Sequence, residues 1–190
     1  MAKTRCGWVS DDPLYIQYHD EEWGVPVLDD QKLFEFLILE TFQAGLSWIT
    51  VLRKRENFRK AFDGFDVEKV AAFDEAKIAS LMEDAGIIRN GAKIRAAVSN
   101  AQAFIQVQKD FGSFRKYIWD FVNGKPLQPD LKSLKDIPAK TELAEAISKD
   151  LKKRGFKFVG PTVVYAHMQA TGMVNDHTTD CFRHEEVKGL

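Results

Sequence analysis

The stretch LKKRGFKFVGPTVVYAHMQATG, residues 151–172, is the most informative part of the chain for the fold, because the pattern of a basic helix end is followed by a tight turn and then by a second helix. Gly155 suits the left-handed position that ends a helix, and Pro161 suits the first position of the next one. Gly160 lets the backbone come close to a partner. The pattern predicts a helix-hairpin-helix motif over about 142–172. An ordinary helix connection is the alternative.

The predicted hairpin has the chemistry to bind phosphate. Free amides at a helix N-terminus bind phosphate well, and three lysines would surround them: Lys152, Lys153 and Lys157. The formal net charge of the chain is −1, so contact with nucleic acid must come from local basic patches. A second basic run lies at residues 53–55. Sequence-independent binding of phosphate by the hairpin, including Gly160, is the favoured interpretation.

The rest of the chain is helical in pattern. Apolar residues recur at spacings of three and four, for example in 33–38 and 94–105, and strand-like alternation is almost absent. We expect an all-α fold of about eight helices, with one domain over 1–190. The proline-containing stretch 124–139 would separate two helical lobes. No apolar run is long enough to span a bilayer and no signal peptide is apparent, so a cytoplasmic protein is expected.

Both cysteines and two of the four histidines lie at the extremes of the chain: Cys6, His19, His177 and Cys181. Two thiols and two imidazoles form a ligand set of tetrahedral structural zinc. His177 and Cys181 would share one face of a helical turn. Two alternatives stay open, namely buried thiols with surface imidazoles, and a disulfide between Cys6 and Cys181. The disulfide fits poorly with a reducing cytosol.

Glu40 is the single charged residue between Phe36 and Leu52. On a helix it stacks over Phe36 and Leu37 and so faces the packed side. Burying an ionised carboxylate costs several kcal/mol, so Glu40 is either bonded within the protein or functional. Five aromatic residues share its quarter of the chain and could stack bases or simply pack in the core: Trp8, Tyr15, Tyr18, Trp23 and Trp48.

A turn follows Glu40. Gly45 should end the helix, Ser47 can cap the next one, and Leu46 would then be exposed between them. An exposed apolar side chain beside a DNA-binding surface can wedge into a base stack and fill the gap left by a flipped nucleotide.

Several blocks together resemble the bacterial 3-methyladenine DNA glycosylase I family, and the match runs along nearly the whole chain. The blocks are Arg5–Trp8, Tyr15–His19, Glu21–Pro26, Gln43–Trp48, Lys152–Gly160 and Val174–His177. The resemblance implies an all-α helix-hairpin-helix glycosylase with a zinc site that joins the N- and C-terminal segments. It also implies the roles of individual residues. The implied zinc ligands are Cys6, His19, His177 and Cys181, the implied base-binding residues are Glu40, Trp8, Tyr15, Tyr18 and Trp48, and the implied DNA-gap residue is Leu46.

Two parts of the chain depart from the family pattern. Thr41 and Phe42 replace small or polar residues, and Phe42 is expected to alter packing near the pocket. The tail Phe182–Leu190 matches no pattern and receives no role.

The implied activity is release of 3-methyladenine from alkylated double-stranded DNA by a monomer. Methylation puts positive charge on the base, which Glu40 and the aromatic faces would favour. Relatives that also cut the backbone carry a lysine where this chain has Pro161–Val163, so a monofunctional enzyme is expected. Asp176 is expected only to support a zinc ligand. Two alternatives remain, namely a non-catalytic zinc-stapled DNA-binding module and a glycosylase for another lesion.

Overall fold

The computed structural model describes residues 3–190, which form ten α-helices, two 3-10 turns and no strand. The predicted all-α class is confirmed, with two helices more than expected. The helices are α1 Pro13–Glu21, α2 Asp30–Phe42, α3 Trp48–Ala61, α4 Val67–Ala71, α5 Glu75–Glu83, α6 Gly91–Phe111, α7 Phe114–Asp120, α8 Glu142–Lys153, α9 Pro161–Ala170 and α10 Phe182–Lys188.

Helix α2 is the central element of the core. Every residue from Leu33 to Phe42 is buried, and α2 packs against α3, α6, α7 and α9. A helix that is apolar on all sides belongs in a protein interior. This position carries Glu40 into the core.

Two consecutive aspartates have different roles at the N-terminus of α2. Asp29 caps the helix by accepting from the Lys32 amide, whereas Asp30 accepts from the backbone amides of Phe114 and Arg115. Asp30 therefore ties α2 to α7 instead of capping its own helix.

The predicted helix-hairpin-helix motif is present as α8, the hairpin 154–160 and α9. Gly155 has a φ of +95° and Pro161 is the first residue of α9, as the sequence predicts. Phe156 and Val159 are buried beneath the hairpin. The Ser148 hydroxyl donates to the Val159 carbonyl at 2.6 Å, which fixes the hairpin on α8.

The stretch 124–139 is mostly irregular and attaches to the C-terminal part of the chain. Leu127 forms an isolated bridge with Val174. The two ends of the chain also meet, because the Phe182 amide donates to the Thr4 carbonyl at 3.0 Å. The division into two lobes stays a prediction. None of the helices described in 3–190 combines the length and apolar character needed to cross a membrane.

Candidate functional site

A cavity of about 160 Å³ opens between the N-terminal segment and α1, α2, α3 and α9. An apolar cavity of about 150 Å³ can hold a benzene molecule, so this one has room for a small aromatic ring. It is lined by Trp8, Tyr15, Tyr18, Trp23, Glu40, Trp48, Ala166 and Gln169. The fold thus brings every base-binding residue that the resemblance implies to one place, together with Trp23, Ala166 and Gln169.

Glu40 lies in the last turn of α2 and is only 4 % exposed. Its Oε2 atom is buried and has no hydrogen-bond partner within residues 3–190. Burial raises the pKa of Glu40 from 4.5 to about 8. A purely structural carboxylate would be saturated by amides or by an arginine, and this one is not.

The aromatic residues form the walls of the cavity. The ring centroid of Trp8 lies 5.0 Å from Tyr15 and 5.0 Å from Trp23, and that of Tyr18 lies 5.7 Å from Trp48. The indole nitrogens of Trp8 and Trp48 are buried and, within the described chain, lack partners. Two donors and one carboxylate oxygen therefore go unsatisfied around a single cavity, which indicates a polar ligand.

Gln169 is a cavity residue that sequence reasoning missed. Its Nε2 donates to Asp176 Oδ2 at 2.8 Å, and the Tyr165 hydroxyl donates to the same oxygen at 2.5 Å. Asp176 is fully buried and does not line the cavity, so it orients the Gln169 amide from behind. The only local signal was the spacing of Ala166 and Gln169, which share one face of α9.

Four potential metal ligands meet beside the cavity: Cys6, His19, His177 and Cys181. All four are buried, and their ligand atoms lie within 4.8 Å of one another. Cys6 Sγ lies 3.5 Å from His177 Nδ1, and Cys181 Sγ lies 3.5 Å from His19 Nε2. The cysteines are free, so the structure contains no disulfide between them. The cluster can hold a metal ion.

One detail of the cluster differs from the prediction. His177 and Cys181 do not share a helical turn, because α10 begins only after Cys181. A turn closed by the Cys181 amide and the Thr178 carbonyl, at 2.8 Å, brings the two side chains together instead. Cys181 Sγ and His177 Nδ1 are 3.6 Å apart.

Outer contacts orient both imidazoles. His19 Nδ1 bonds to Asp20 Oδ1 at 2.8 Å, and His177 Nε2 bonds to the Trp23 carbonyl at 2.9 Å. When these outer nitrogens carry the proton, the nitrogens that face the cluster are free to bind a metal. Trp23 joins the two features, since its side chain lines the cavity while its carbonyl holds His177.

The tail, which received no role from the sequence, packs onto this cluster. His184 in α10 is buried and bonds through Nδ1 to the His177 carbonyl at 2.8 Å. Its other ring nitrogen lies 3.0 Å from Asp130 Oδ1. The tail therefore supports the backbone of a ligand residue.

The turn after α2 exposes Leu46 as expected, with 40 % of the residue accessible. Gly45 has a φ of +77°. Ser47 occupies the N-cap position of α3, but its hydroxyl contacts the Thr50 hydroxyl rather than a helix amide. Trp48, the first residue of α3, connects this turn to the cavity.

The two basic runs differ in how many of their charges are paired in the folded protein. Arg53 pairs with Asp12, and Arg55 makes two hydrogen bonds to Glu22 at 2.8 Å each, so the first run is largely neutralised. The hairpin lysines are exposed and form no ion pair with any residue in 3–190: Lys152, Lys153 and Lys157. Gly160 is the N-cap of α9, and a Cβ there would meet no atom within 4 Å.

Phe42 is not among the residues that line the cavity. Its ring is fully buried and packs against Phe58 at 4.9 Å and Phe62 at 6.1 Å, between α2 and α3. Phe42 lies two residues beyond Glu40 and points to another side of the helix. An effect of Phe42 on the packing near the pocket stays a prediction.

The raised pKa of Glu40 predicts that the stability of the wild-type protein relative to Glu40→Gln depends on pH. Between about pH 4.5 and 8 the folded protein keeps a proton on Glu40 that the unfolded chain releases, so stability falls as pH rises through this window. Glu40→Gln removes this effect. We expect the unfolding free energy of the variant to exceed that of the wild type by about 2 to 4 kcal/mol at pH 8, and to match it near pH 5. Urea unfolding across this range measures the difference, and a gap independent of pH would contradict the assignment.

The chain resembles proteins of known activity along its length. Residues 8–184 match the model of the methyladenine glycosylase family. DNA-3-methyladenine glycosylase 1 of Escherichia coli is 55% identical over 177 residues, which cover 93% of this chain and 95% of that protein. A crystal structure of 3-methyladenine DNA glycosylase I superposes with a TM-score of 0.93 at 53% identity, covering 95% of this chain and 100% of the other.

A third comparison concerns a ligand-bound relative. A variant of 3-methyladenine DNA glycosylase I, crystallised in complex with 3-methyladenine, superposes with a TM-score of 0.91 at 39% identity and covers 94% of this chain and 96% of its own. On these matches, the chain belongs to the methyladenine glycosylase family.

Proposed function

We propose that this protein is a DNA repair glycosylase that hydrolyses the N-glycosidic bond of 3-methyladenine in alkylated duplex DNA. It releases the free base and leaves an abasic site. The observation that carries the proposal is the buried, unpartnered carboxylate of Glu40 in a cavity walled by aromatic rings. The activity named for the relatives supports it. Chromatography of the bases released from methylated duplex DNA tests it.

The cavity chemistry favours a cationic base over a neutral one. Burial holds a proton on Glu40 in the free protein, and a positively charged base beside it stabilises the ionised carboxylate. Neutral adenine provides no such charge, so the desolvation cost of the carboxylate is left without compensation. A cation over an aromatic face gains a further 0.5 to 2 kcal/mol or so. Trp8, Tyr15, Tyr18 and Trp48 are the proposed stacking residues.

The base must leave the helix before it can enter the cavity. Leu46 is proposed to fill the resulting gap, because it is exposed on the turn that leads into cavity residue Trp48. The hairpin is proposed to hold the DNA backbone through Lys152, Lys153, Lys157 and the amides that follow Gly160. These contacts do not depend on sequence, which suits an enzyme that must find a lesion anywhere.

Zinc is the proposed metal of the Cys6, His19, His177 and Cys181 cluster. With Zn–S bonds of about 2.3 Å and Zn–N bonds of about 2.0 to 2.1 Å, a tetrahedral ion separates sulfur from nitrogen ligands by about 3.6 Å. Three of the four S···N distances of the cluster are 3.5, 3.5 and 3.6 Å. Four protein ligands leave no position for water, so the proposed role is structural. Thiolate ligands are compatible with a protein that works in the reducing cytoplasm. We also expect the protein to be a monomer.

Monofunctional chemistry predicts that no covalent intermediate forms with DNA. The first residues of α9, Pro161–Val163, offer no amine that could attack the sugar carbon. Borohydride added during base release should therefore trap no protein–DNA adduct on a denaturing gel. A glycosylase with lyase activity, treated in parallel, is the positive control. A trapped adduct would contradict the monofunctional assignment.

A further inference from the structure

Helix α6 supports the hairpin from below. The side chain of Asn100 is fully buried, accepts from the Lys157 amide at 2.8 Å and donates to the Lys157 carbonyl at 3.0 Å. These two bonds fix the hairpin backbone at its exposed tip. Lys93 lies two turns before Asn100, so both side chains lie on the face of α6 that meets the hairpin.

Lys93 is unusual among the lysines because it is only 7 % exposed. Its Nζ lies 5.9 Å from the centroid of the Phe158 ring. Its ammonium group has neither an ion-pair nor a hydrogen-bond partner in the part of the chain that the structure describes. The nitrogen is not among the buried atoms that lack a partner, so the apolar stem of Lys93 is buried while its charged end reaches the surface. Lys93 therefore presents an unpaired positive charge beside the hairpin.

The neighbours of Lys93 indicate which anion its charge would bind. Phe158 is 44 % exposed with a φ of +57°, and it sits at the hairpin tip beside exposed Lys157. The hairpin leads into the N-terminus of α9, a helix of ten residues whose first amides are free to bind a phosphate. An anion that binds both Lys93 and these amides would extend along this surface, as a nucleic-acid backbone does.

We propose that Lys93 binds a backbone phosphate of DNA next to the hairpin, and so extends the DNA-binding surface from the hairpin motif onto α6. This inference rests on the proposed function. The aliphatic stem of Lys93 is held by burial, so its ammonium group is fixed before DNA arrives and loses little freedom on binding. Phe158 shields the contact on one side.

Lys93→Met tests the contact, because methionine keeps an apolar stem and removes only the charge. Binding of undamaged duplex DNA is measured by fluorescence anisotropy between about 50 and 200 mM salt. We expect the slope of log K against log salt to become less negative by about 0.9, and the Kd at 0.1 M salt to rise about eightfold. Lys93→Arg should keep the wild-type slope.

Lys69→Met is the matched control, since it removes the same charge from an exposed position on α4 and should leave the slope unchanged. A Lys93→Met protein with the slope of the wild type would overturn the inference alone. Should Lys93→Met fail to fold, Lys93→Gln repeats the measurement. Failure of the wild-type protein to bind duplex DNA would instead overturn the proposed function, and this inference with it.

Discussion

Glu40→Gln is expected to slow the release of 3-methyladenine by about 10- to 150-fold. A hydrogen bond to a charged group contributes about 1.5 to 3 kcal/mol, and glutamine supplies a neutral acceptor of the same shape. The variant should still fold, because it removes a buried carboxylate that has an unpartnered oxygen. It should also bind undamaged duplex DNA with unchanged affinity, because Glu40 lies inside the cavity.

Single-turnover kinetics on methylated duplex DNA measure this effect. Glu35→Gln is the matched control, because Glu35 is a buried carboxylate on the same helix that pairs with Arg59 and does not line the cavity. It should lose stability and keep the rate of base release. Equal rates in wild type and Glu40→Gln would remove Glu40 from the mechanism.

Cys6→Ala should abolish zinc binding and lower the melting temperature by about 8 to 16 °C. A ligand present at a thousand times its Kd stabilises the folded state by about 4 kcal/mol, and 1 kcal/mol corresponds to about 2 to 4 °C in a protein of this size. The loss should be concentrated where the cluster joins the two ends of the chain. Elemental analysis and thermal unfolding, with and without chelator, measure both quantities.

His167→Gln provides the control for the metal variant. His167 is also a buried histidine, but it bonds to the Leu33 carbonyl and lies outside the cluster. Its replacement should lower stability and leave one zinc per chain. A Cys6→Ala protein that retains full zinc at an unchanged melting temperature would contradict the structural role.

Local chemistry explains why parts of the fold could be predicted. Gly155 and Pro161 encode the end of one helix and the start of the next within a few residues, and the structure confirms both. The apolar run around Glu40 predicted its burial in the same way. Signals of this kind need no knowledge of distant segments.

The errors come from contacts between segments far apart in sequence. Two ion pairs, Arg53 with Asp12 and Arg55 with Glu22, join α3 to the N-terminal region. The sequence around residues 53–55 does not predict either pair. Gln169 lines the cavity, and its spacing from Ala166 on α9 was the only signal of this in the sequence. The direction of a side chain and its long-range partners depend on how the helices pack. The periodicity of the sequence predicts the helices but not their packing.

The metal cluster could be predicted only in part. The residue types fit zinc, but the wide separation of the two halves left buried thiols and a disulfide open as alternatives. Only the packing of α1 against the C-terminal turn shows that four ligand atoms meet. The identity of the ion stays a proposal.

Base excision by this protein is tested most directly by incubating the purified protein with duplex DNA treated with a methylating agent, and separating the released bases by chromatography. We expect free 3-methyladenine with little 7-methylguanine, because the cavity is small and Glu40 is proposed to select a cationic adenine. If a zinc-containing protein binds this DNA and releases no base, the proposed glycosylase activity is wrong and a non-catalytic DNA-binding module is favoured.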